Sequence, residues 1–173
     1  MCGKMRAGEG TRVIREGPTI EIRLVDGDDA VIDARTLFKE YASSFERELS
    51  FRDFARELVE LPGAYVPPEG ALLLARYDGR LAGCVALCPL DNGVCEMRRL
   101  FVRHQFRGKG VGKRLALAVI EAARDAGHRV MRLDVAPWME EAIAMYRTMG
   151  FRPIEPYRSE FVTGTMFMEL RLA

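Results

Sequence analysis

Residues 96–114 read EMRRLFVRHQFRGKGVGKR and are the most informative part of this chain. They combine an apolar-cored strand, a basic turn with glycines at positions 108, 110 and 112, and the start of a helix. Glycines at such a junction let backbone N–H groups converge on a ligand, because no Cβ restricts φ or blocks approach. A helix N-terminus adds about half a positive charge, and it favours phosphate. The segment from Arg98 to Arg114 has seven Lys/Arg residues and no Asp or Glu, so the sequence predicts an anionic ligand.

Three kinds of phosphate loop can be compared with this turn. A nucleotide-triphosphatase loop needs Gly, four residues, then Gly-Lys-Ser/Thr, but here Arg107 stands at the first glycine and Arg114 at the hydroxyl position. A dinucleotide fingerprint needs G-x-G-x-x-G, and Lys113 occupies its third glycine position. The acyl-CoA pattern, Gln/Arg-x-x-Gly-x-Gly/Ala, is matched in full by residues 105–110, QFRGKG.

On this loop and three further segments, the chain resembles the GNAT superfamily of N-acetyltransferases. The further segments are AIAMYRTMGF at residues 142–151, EMRRLFV at 96–102 and LPGAY at 61–65. The last two resemble a bacterial branch that acts on small molecules. The resemblance covers about residues 19–172, including the final strand.

Hydrophobic periodicity and turn residues predict the element order β-α-α-β-β-β-α-β-α-β-β. The resemblance implies an α/β (α+β) GNAT fold: a mixed central sheet of about seven strands, the fourth and fifth splayed, with about four flanking helices. We expect residues 1–18 to be a flexible arm and residues 19–173 a single acetyltransferase domain.

The first helix is predicted to begin at a cap formed by Asp28 or Asp29, whose side chains can accept backbone N–H bonds. Its inward face is expected to carry Ile32, Leu37, Phe38, Tyr41 and Phe45. A second helix begins near Ser50 and ends before Pro62-Gly63.

Composition excludes several classes of protein. The chain has 173 residues, 49% of them hydrophobic, and a net charge of +1. The positive charge is therefore local, which argues against nucleic acid or a membrane as partner. No long apolar run or leader-like segment appears, and the four cysteines show no metal-site spacing. We expect a cytoplasmic protein with reduced thiols and no metal; a homodimer is compatible with the sequence.

The resemblance implies how acetyl-CoA binds. Pantetheine would fill the gap between the strand at residues 94–103 and the strand at 130–135, pairing with the backbone near Leu100, Phe101 and Val102. Backbone N–H groups there could also stabilise an oxyanion. Met139 replaces an asparagine that many relatives carry near the last helix. The remaining expected cofactor contacts are Gln105, Arg107, Gly108, Lys109, Gly110, Val111, Gly112, Lys113 and Ala142.

Tyr146 and Glu96 are the candidate catalytic residues. The family places a tyrosine at the Tyr146 position, near the CoA sulfur, where a phenol can protonate the departing thiolate; packing beside Phe151 is the alternative. Glu96 has the same strand parity as Arg98, Leu100 and Val102, and a carboxylate there could accept the proton of the amine. A surface ion pair with a neighbouring arginine is the alternative for Glu96.

The acceptor pocket is expected to use the first two helices, through Phe38 and Tyr41 with Phe45 and Phe51, and residues 157–165. Arg98, or Arg99, could hold an acidic substrate. The predicted function is acetyl transfer from acetyl-CoA to a primary amine of a small molecule by direct attack. A non-catalytic acyl-CoA-binding module and a protein or peptide N-acetyltransferase remain alternatives, because a fold does not fix an acceptor.

Overall fold

The structure, a computed structural model, describes residues 17–44 and 51–172. Its elements follow the predicted order, with one added turn of 3-10 helix at His104–Phe106. The strands are β1 (Ile20–Leu24), β2 (Ala71–Tyr77), β3 (Arg80–Pro89), β4 (Val94–Val102), β5 (Val130–Val135), β6 (Arg152–Ile154) and β7 (Met166–Arg171). The helices are α1 (Asp28–Ser43), α2 (Phe51–Glu60), α3 (Val111–Asp125) and α4 (Glu140–Thr148).

The strands form one mixed sheet in the order β1-β2-β3-β4-β5-β7-β6. Its one parallel pair among the described residues is β4 with β5, joined from Val94↔Val130 to Glu96↔Arg132. Beyond Glu96, the register of β4 continues with β3 alone, and beyond Arg132 that of β5 continues with β7 alone. The carboxyl ends of β4 and β5 thus border an open wedge, and the predicted fold class with its splayed strands is confirmed.

Each face of the sheet packs a separate core. On one face, α3 and α4 contribute Leu115, Val119 and Ile143. On the other, α1 and α2 contribute Phe38 and Phe54. The strand β2 serves both cores, since its successive side chains alternate between the two faces.

The start of α1 differs from the sequence prediction. Its N-cap is Gly27 at φ +83, without a side-chain cap bond, so the prediction of an Asp28 or Asp29 cap is wrong. Ile32 is 55% exposed, and Ala34 takes the inward position with Leu37 and Phe38. Ala34 and Phe38 are four residues apart and share a helix face, which Ile32 does not. Phe45 lies outside the described residues.

A β-bulge interrupts β4 at Arg99. Arg98 lies opposite Ala86 and Phe101 opposite Cys84, so two residues of β4 face Val85 alone. Arg99 has φ +54. The extra residue reverses the side-chain alternation: Met97 and Leu100 both pack on the α3 side of the sheet. The expectation that Glu96 shares a face with Leu100 and Val102 is therefore wrong.

Gly83 permits the close approach of β3 to the end of β4. A Cβ on Gly83 would lie 2.4 Å from the Phe101 carbonyl oxygen. We predict that Gly83→Ala lowers the free energy of unfolding by about 1–3 kcal/mol, the usual effect of overpacking. Urea unfolding measures it. Gly112→Ala is the control, because its Cβ would meet Val102 at an ordinary 3.6 Å. Equal stability of wild type and Gly83→Ala would contradict the prediction.

Candidate active site

A cavity of about 890 Å³ opens at the wedge between β4 and β5. Its lining comes from α1, β4, β5 and α4, and also from α2, the segment after α2 and the loop before β7. The lining residues from α1, from β4 and from the segment that runs from β5 into α4 are Tyr41, Met97, Arg98, Arg99, Leu100, Leu133, Asp134, Val135, Ala136, Met139 and Tyr146. The structure thus brings Tyr146, Leu100, Met139, Tyr41 and Arg98, five of the predicted site residues, to one cavity.

The glycine turn after β4 presents an open helix N-terminus. Gly108 has φ +71, and Gly110, the N-cap of α3, has φ +84. No side chain caps α3, and the first helical bond of the turn runs from the Arg114 N–H to the Gly110 carbonyl at 3.0 Å. The N–H groups of residues 111–113 have no intrahelical acceptor. A Cβ on Gly108 would meet nothing within 4 Å, so the space beside Gly108 is open.

Basic side chains of the turn are partly engaged with the sheet. The Arg107 Nε donates to the Val102 carbonyl at 3.0 Å, and the Lys109 ammonium lies 5.0 Å from the centre of the Tyr77 ring. Arg114 donates to the Ile20 carbonyl at 3.2 Å. The Val111 side chain is buried in the α3 core, which leaves its backbone for a ligand. Gln105 and Lys113 are exposed. Backbone N–H groups are consequently the principal donors of the turn.

Tyr146 projects from α4 and lines the cavity. It is 6% exposed and packs edge-on against Phe151, with 5.5 Å between ring centroids. Its hydroxyl forms no hydrogen bond that the described residues account for, so it is available to a ligand in the cavity. Burial, and to a smaller extent Tyr41 and Asp134, raise the pKa of Tyr146 above the ordinary 10.0. Tyr146 can therefore pack against Phe151 and still donate its proton to a ligand in the cavity.

Glu96 lies behind the cavity wall. It is 1% exposed and is not among the lining residues. Its Oε2 accepts a hydrogen bond from the Arg98 Nε, and its Oε1 accepts one from the Tyr157 hydroxyl at 2.6 Å. Arg158 lies 3.6 Å from the same Oε1. Both carboxylate oxygens are therefore occupied, and the base role of Glu96 stays an untested prediction that this geometry does not favour.

Arg158 joins the two arms of the wedge. Besides Glu96 on β4, it forms an ion pair with Asp134 on β5. Phe167 of β7 packs edge-on against Tyr157 at 5.1 Å and against Phe161 at 5.0 Å. These contacts hold the loop before β7 at the cavity mouth. The sequence predicts that this loop borders the acceptor pocket, but no local motif marks Tyr157 and Arg158 as partners of Glu96.

Arg99 is the centre of a second polar cluster on the α2 side of the cavity. Its Nε and Nη2 donate to the two carboxylate oxygens of Glu57 at 3.1 and 2.6 Å. The Tyr65 hydroxyl donates to Glu57 at 2.6 Å. Burial opposes the charged form of Glu57, but the hydrogen bonds and charge of Arg99 outweigh it and lower the pKa of Glu57. The guanidinium also lies 5.5 Å from the Tyr41 ring centre and 5.4 Å from that of Phe54.

The other residues predicted to contact the acceptor or the cofactor differ in whether their side chains reach the cavity. Phe38 is fully buried against Tyr65, with 6.2 Å between ring centroids, so the structure does not bring it to the acceptor pocket. The Phe101 ring packs on the α1 side against Tyr41 at 6.2 Å, which leaves the Phe101 backbone alone for a cofactor. Ala142 is half-buried beside the α3 core. The side chain of Phe51 lies outside what the structure describes.

Comparison with known proteins establishes the family. The model of the acetyltransferase (GNAT) family matches residues 32–151. An uncharacterized N-acetyltransferase of Schizosaccharomyces pombe is 34% identical over 143 residues, 82% of this chain and 88% of that protein. This chain belongs to the GNAT family of acetyltransferases.

Solved structures share the fold. A GNAT-family acetyltransferase of Staphylococcus aureus Mu50 superposes with a TM-score of 0.74 at 20% identity, covering 90% of this chain and 100% of the other. A protein of Salmonella typhimurium, solved with its cofactor acetyl-CoA, superposes with a TM-score of 0.64 at 19% identity, covering 89% and 94%.

Two features are absent from the described residues. No helix within residues 17–44 and 51–172 has the length and apolar character that membrane crossing requires. The same residues contain no cluster of three or more His, Cys, Asp or Glu that could hold a metal ion.

We predict that the Tyr146 phenol stays protonated when free tyrosine is half ionised, at pH 10.0. Burial disfavours the phenolate, so the folded state favours the protonated Tyr146 side chain. The contribution of this side chain to the free energy of unfolding is complete below the unfolded-state pKa and is lost as pH rises through the higher folded-state pKa. NMR titration of carbon-labelled tyrosine, with Tyr146→Phe assigning the resonance, measures this. A Tyr146 midpoint at or below pH 10.0 would contradict the prediction.

Proposed function

We propose that this protein transfers the acetyl group of acetyl-CoA to a primary amine of a small molecule by direct attack. The observation that carries the proposal is the shared cavity: the open β4–β5 wedge and Tyr146 border one space. The uncapped glycine turn follows β4 after one turn of 3-10 helix. These are the sites that a pantetheine arm, a leaving thiolate and a pyrophosphate require. The Salmonella protein solved with acetyl-CoA supports the choice of cofactor.

In this proposal acetyl-CoA lies along the wedge. The pantetheine amides pair with the backbone of residues 100–102, which has no partner on the β5 side. The pyrophosphate accepts N–H bonds from the turn and the first residues of α3. Met139 and Ala142, at the start of α4, contact the arm from the opposite side. Gln105, Arg107, Lys109 and Lys113 surround the phosphates as exposed polar or charged side chains.

The reaction needs few side chains. The neutral amine attacks the acetyl carbonyl carbon, and a β4 backbone N–H stabilises the developing oxyanion. The C–S bond then breaks, and Tyr146 donates its proton to the thiolate. The raised pKa of Tyr146 keeps that proton in place until the thiolate forms. The attacking nitrogen loses its extra proton to solvent through the cavity, and the Tyr146 phenolate regains a proton from solvent, which restores the enzyme.

The cavity fits a small polar acceptor. Its lining carries acidic side chains from α2 and the loop before β7, among them Glu160, which attract an ammonium group, whereas Glu60 is paired with Arg56 at 3.8 Å. Tyr41 and Arg98 line the same cavity and would contact the acceptor. A cytoplasmic location and a homodimer stay predictions.

A thiol-release screen with acetyl-CoA tests the function. The panel contains amines, amino acids, polyamines, aminoglycosides and peptides. Acetylation of a small amine is the expected result. Turnover restricted to peptides would replace the small acceptor by a protein or peptide. Intact acetyl-CoA affinity without turnover on any member would favour a non-catalytic binding module.

We predict that Gly110→Asp weakens acetyl-CoA binding by about tenfold or more, equivalent to about 1.4 kcal/mol. The carboxylate would stand at the N-cap where the pyrophosphate is proposed to bind. Gly110→Asn is the matched control, because Asn has the same shape and also tolerates φ +84. Calorimetry compares the two variants. Equal affinities would remove the glycine turn from the cofactor site.

Tyr146→Phe should retain acetyl-CoA affinity and lower kcat by roughly 10²-fold, since it removes only a proton donor. Steady-state kinetics with an acceptor from the screen, together with calorimetry, separates the two effects. An unchanged kcat would reduce Tyr146 to its packing contact with Phe151.

For Glu96→Gln we expect a higher KM for the acceptor and a pH–rate profile parallel to that of the wild type. The reason is that both Glu96 oxygens hold Arg98 and Tyr157, so the change disturbs the cavity wall and removes no free base. Kinetics across pH with one acceptor measures both quantities. A defect that shrinks as pH rises would instead establish Glu96 as the base.

A further inference from the structure

We propose that Arg99 and Glu57 are positioning residues whose ion pair holds the β4 bulge in its left-handed conformation and so aims the backbone N–H groups at the acetyl carbonyl. The proposal rests on the proposed acetyl transfer and gives both residues a structural role that needs no side-chain contact with acetyl-CoA. The Arg99 side chain is bonded to Glu57 of α2, and Arg99 also lines the cavity.

The backbone at Arg99 is unusual for its residue type. Its φ of +54 lies in a region that side chains with a Cβ rarely adopt. Such conformations persist where surrounding contacts over-determine them, and they cluster at functional sites. The neighbouring Arg98 and Leu100 both line the cavity, so the bulge forms part of its wall.

Contacts on several sides hold the bulge. Glu57 binds the guanidinium through both carboxylate oxygens and is itself held by Tyr65. The side chains of Arg99 and Glu57 are 18% and 17% exposed, so water weakens the pair less than at an open surface. On the β3 side, the buried Cys84 thiol donates to the Arg99 carbonyl at 3.5 Å. Side chain and carbonyl are thereby fixed together.

The position of the bulge explains what it could do. It follows the last β4–β5 pair by three residues, where the β4 backbone turns from pairing with β5 to facing the wedge. A left-handed residue rotates the adjoining peptide planes, and this rotation decides which backbone N–H points to the cavity. Glu57 belongs to α2, which lines the cavity. The same helix would therefore border the proposed acceptor and, through Arg99, hold the β4 backbone beside the acetyl group.

A neighbouring ion pair provides a matched control. Arg103, just after β4, donates to both carboxylate oxygens of Glu40 at 2.9 and 2.7 Å. This pair also ties a helix to the chain at β4, but Arg103 has φ −55 and needs no support against backbone strain. Glu40→Gln therefore reports the effect of losing a similar ion pair without a strained backbone.

The test compares Arg99→Ala, Arg99→Gly, Glu57→Gln and Glu40→Gln. Alanine loses the anchor and keeps the unfavourable φ, whereas glycine loses the anchor but adopts φ +54 freely. We expect kcat to fall by about tenfold or more in Arg99→Ala, the scale of a misplaced oxyanion donor. Arg99→Gly should recover most of that loss, Glu57→Gln should be intermediate, and Glu40→Gln should match the wild type. Thermal unfolding verifies that each variant is folded.

Three outcomes would overturn the proposal. Equal losses in Arg99→Ala and Arg99→Gly with a raised acceptor KM would show that the guanidinium binds the acceptor. An unchanged kcat in folded Arg99→Ala would remove the bulge from catalysis. A loss in Glu40→Gln equal to that in Glu57→Gln would reduce the pair to general stability.

A second measurement does not depend on turnover. The amide resonance of Leu100 should shift on addition of acetyl-CoA in the wild type and in Arg99→Gly, but much less in Arg99→Ala. If the wild type acetylates no amine, the proposed function fails while this comparison still tests the positioning role. Identical shifts in all three proteins would refute it.

Discussion

The short pairing of β4 with β5 is the constraint on which the rest of the molecule depends. A sheet normally satisfies each backbone N–H and carbonyl with the next strand, but here the parallel ladder ends after Glu96↔Arg132. The two strands remain fixed on their other sides by β3 and β7. Unpaired backbone is therefore held rigidly beside a cavity, where an extended polar chain such as pantetheine can complete the ladder.

Keeping the wedge open requires contacts that cross it without filling it. Arg158 joins Glu96 on one arm to Asp134 on the other, from a loop that packs on Phe167. A buried carboxylate is costly unless charged and hydrogen-bonded partners surround it, and Arg98, Tyr157 and Arg158 supply them for Glu96. Glu96 anchors the loop before β7 through Tyr157 and Arg158, which explains a carboxylate that is buried beside the cavity and yet absent from its surface.

The sequence predicts the elements of this fold well, because strands and helices carry local periodicity. The β5 bounds and the glycine turn follow directly from residue spacing. The β4 bulge does not, since an arginine gives no signal of a left-handed backbone as a glycine would. The bulge adds one residue to β4, and a regular strand without that residue places the Leu100 and Val102 side chains on the wrong face of the sheet. Phe38 illustrates another limit: an aromatic residue on an amphipathic helix is equally suited to a core and to a pocket.

The two halves of the site differ in how they are encoded. The proposed cofactor half uses backbone groups and a contiguous glycine turn, which leave a local motif. The proposed acceptor half is bordered by pairs such as Arg99–Glu57 and Tyr157–Glu96, which are 42 and 61 residues apart in the chain. Contacts of that separation arise only once the sheet has formed, so a single sequence carries no pattern for them. That difference explains why acetyl-CoA can be proposed from the sequence of this GNAT-family chain, whereas its acceptor has to be sought from the charges and shape of the folded cavity.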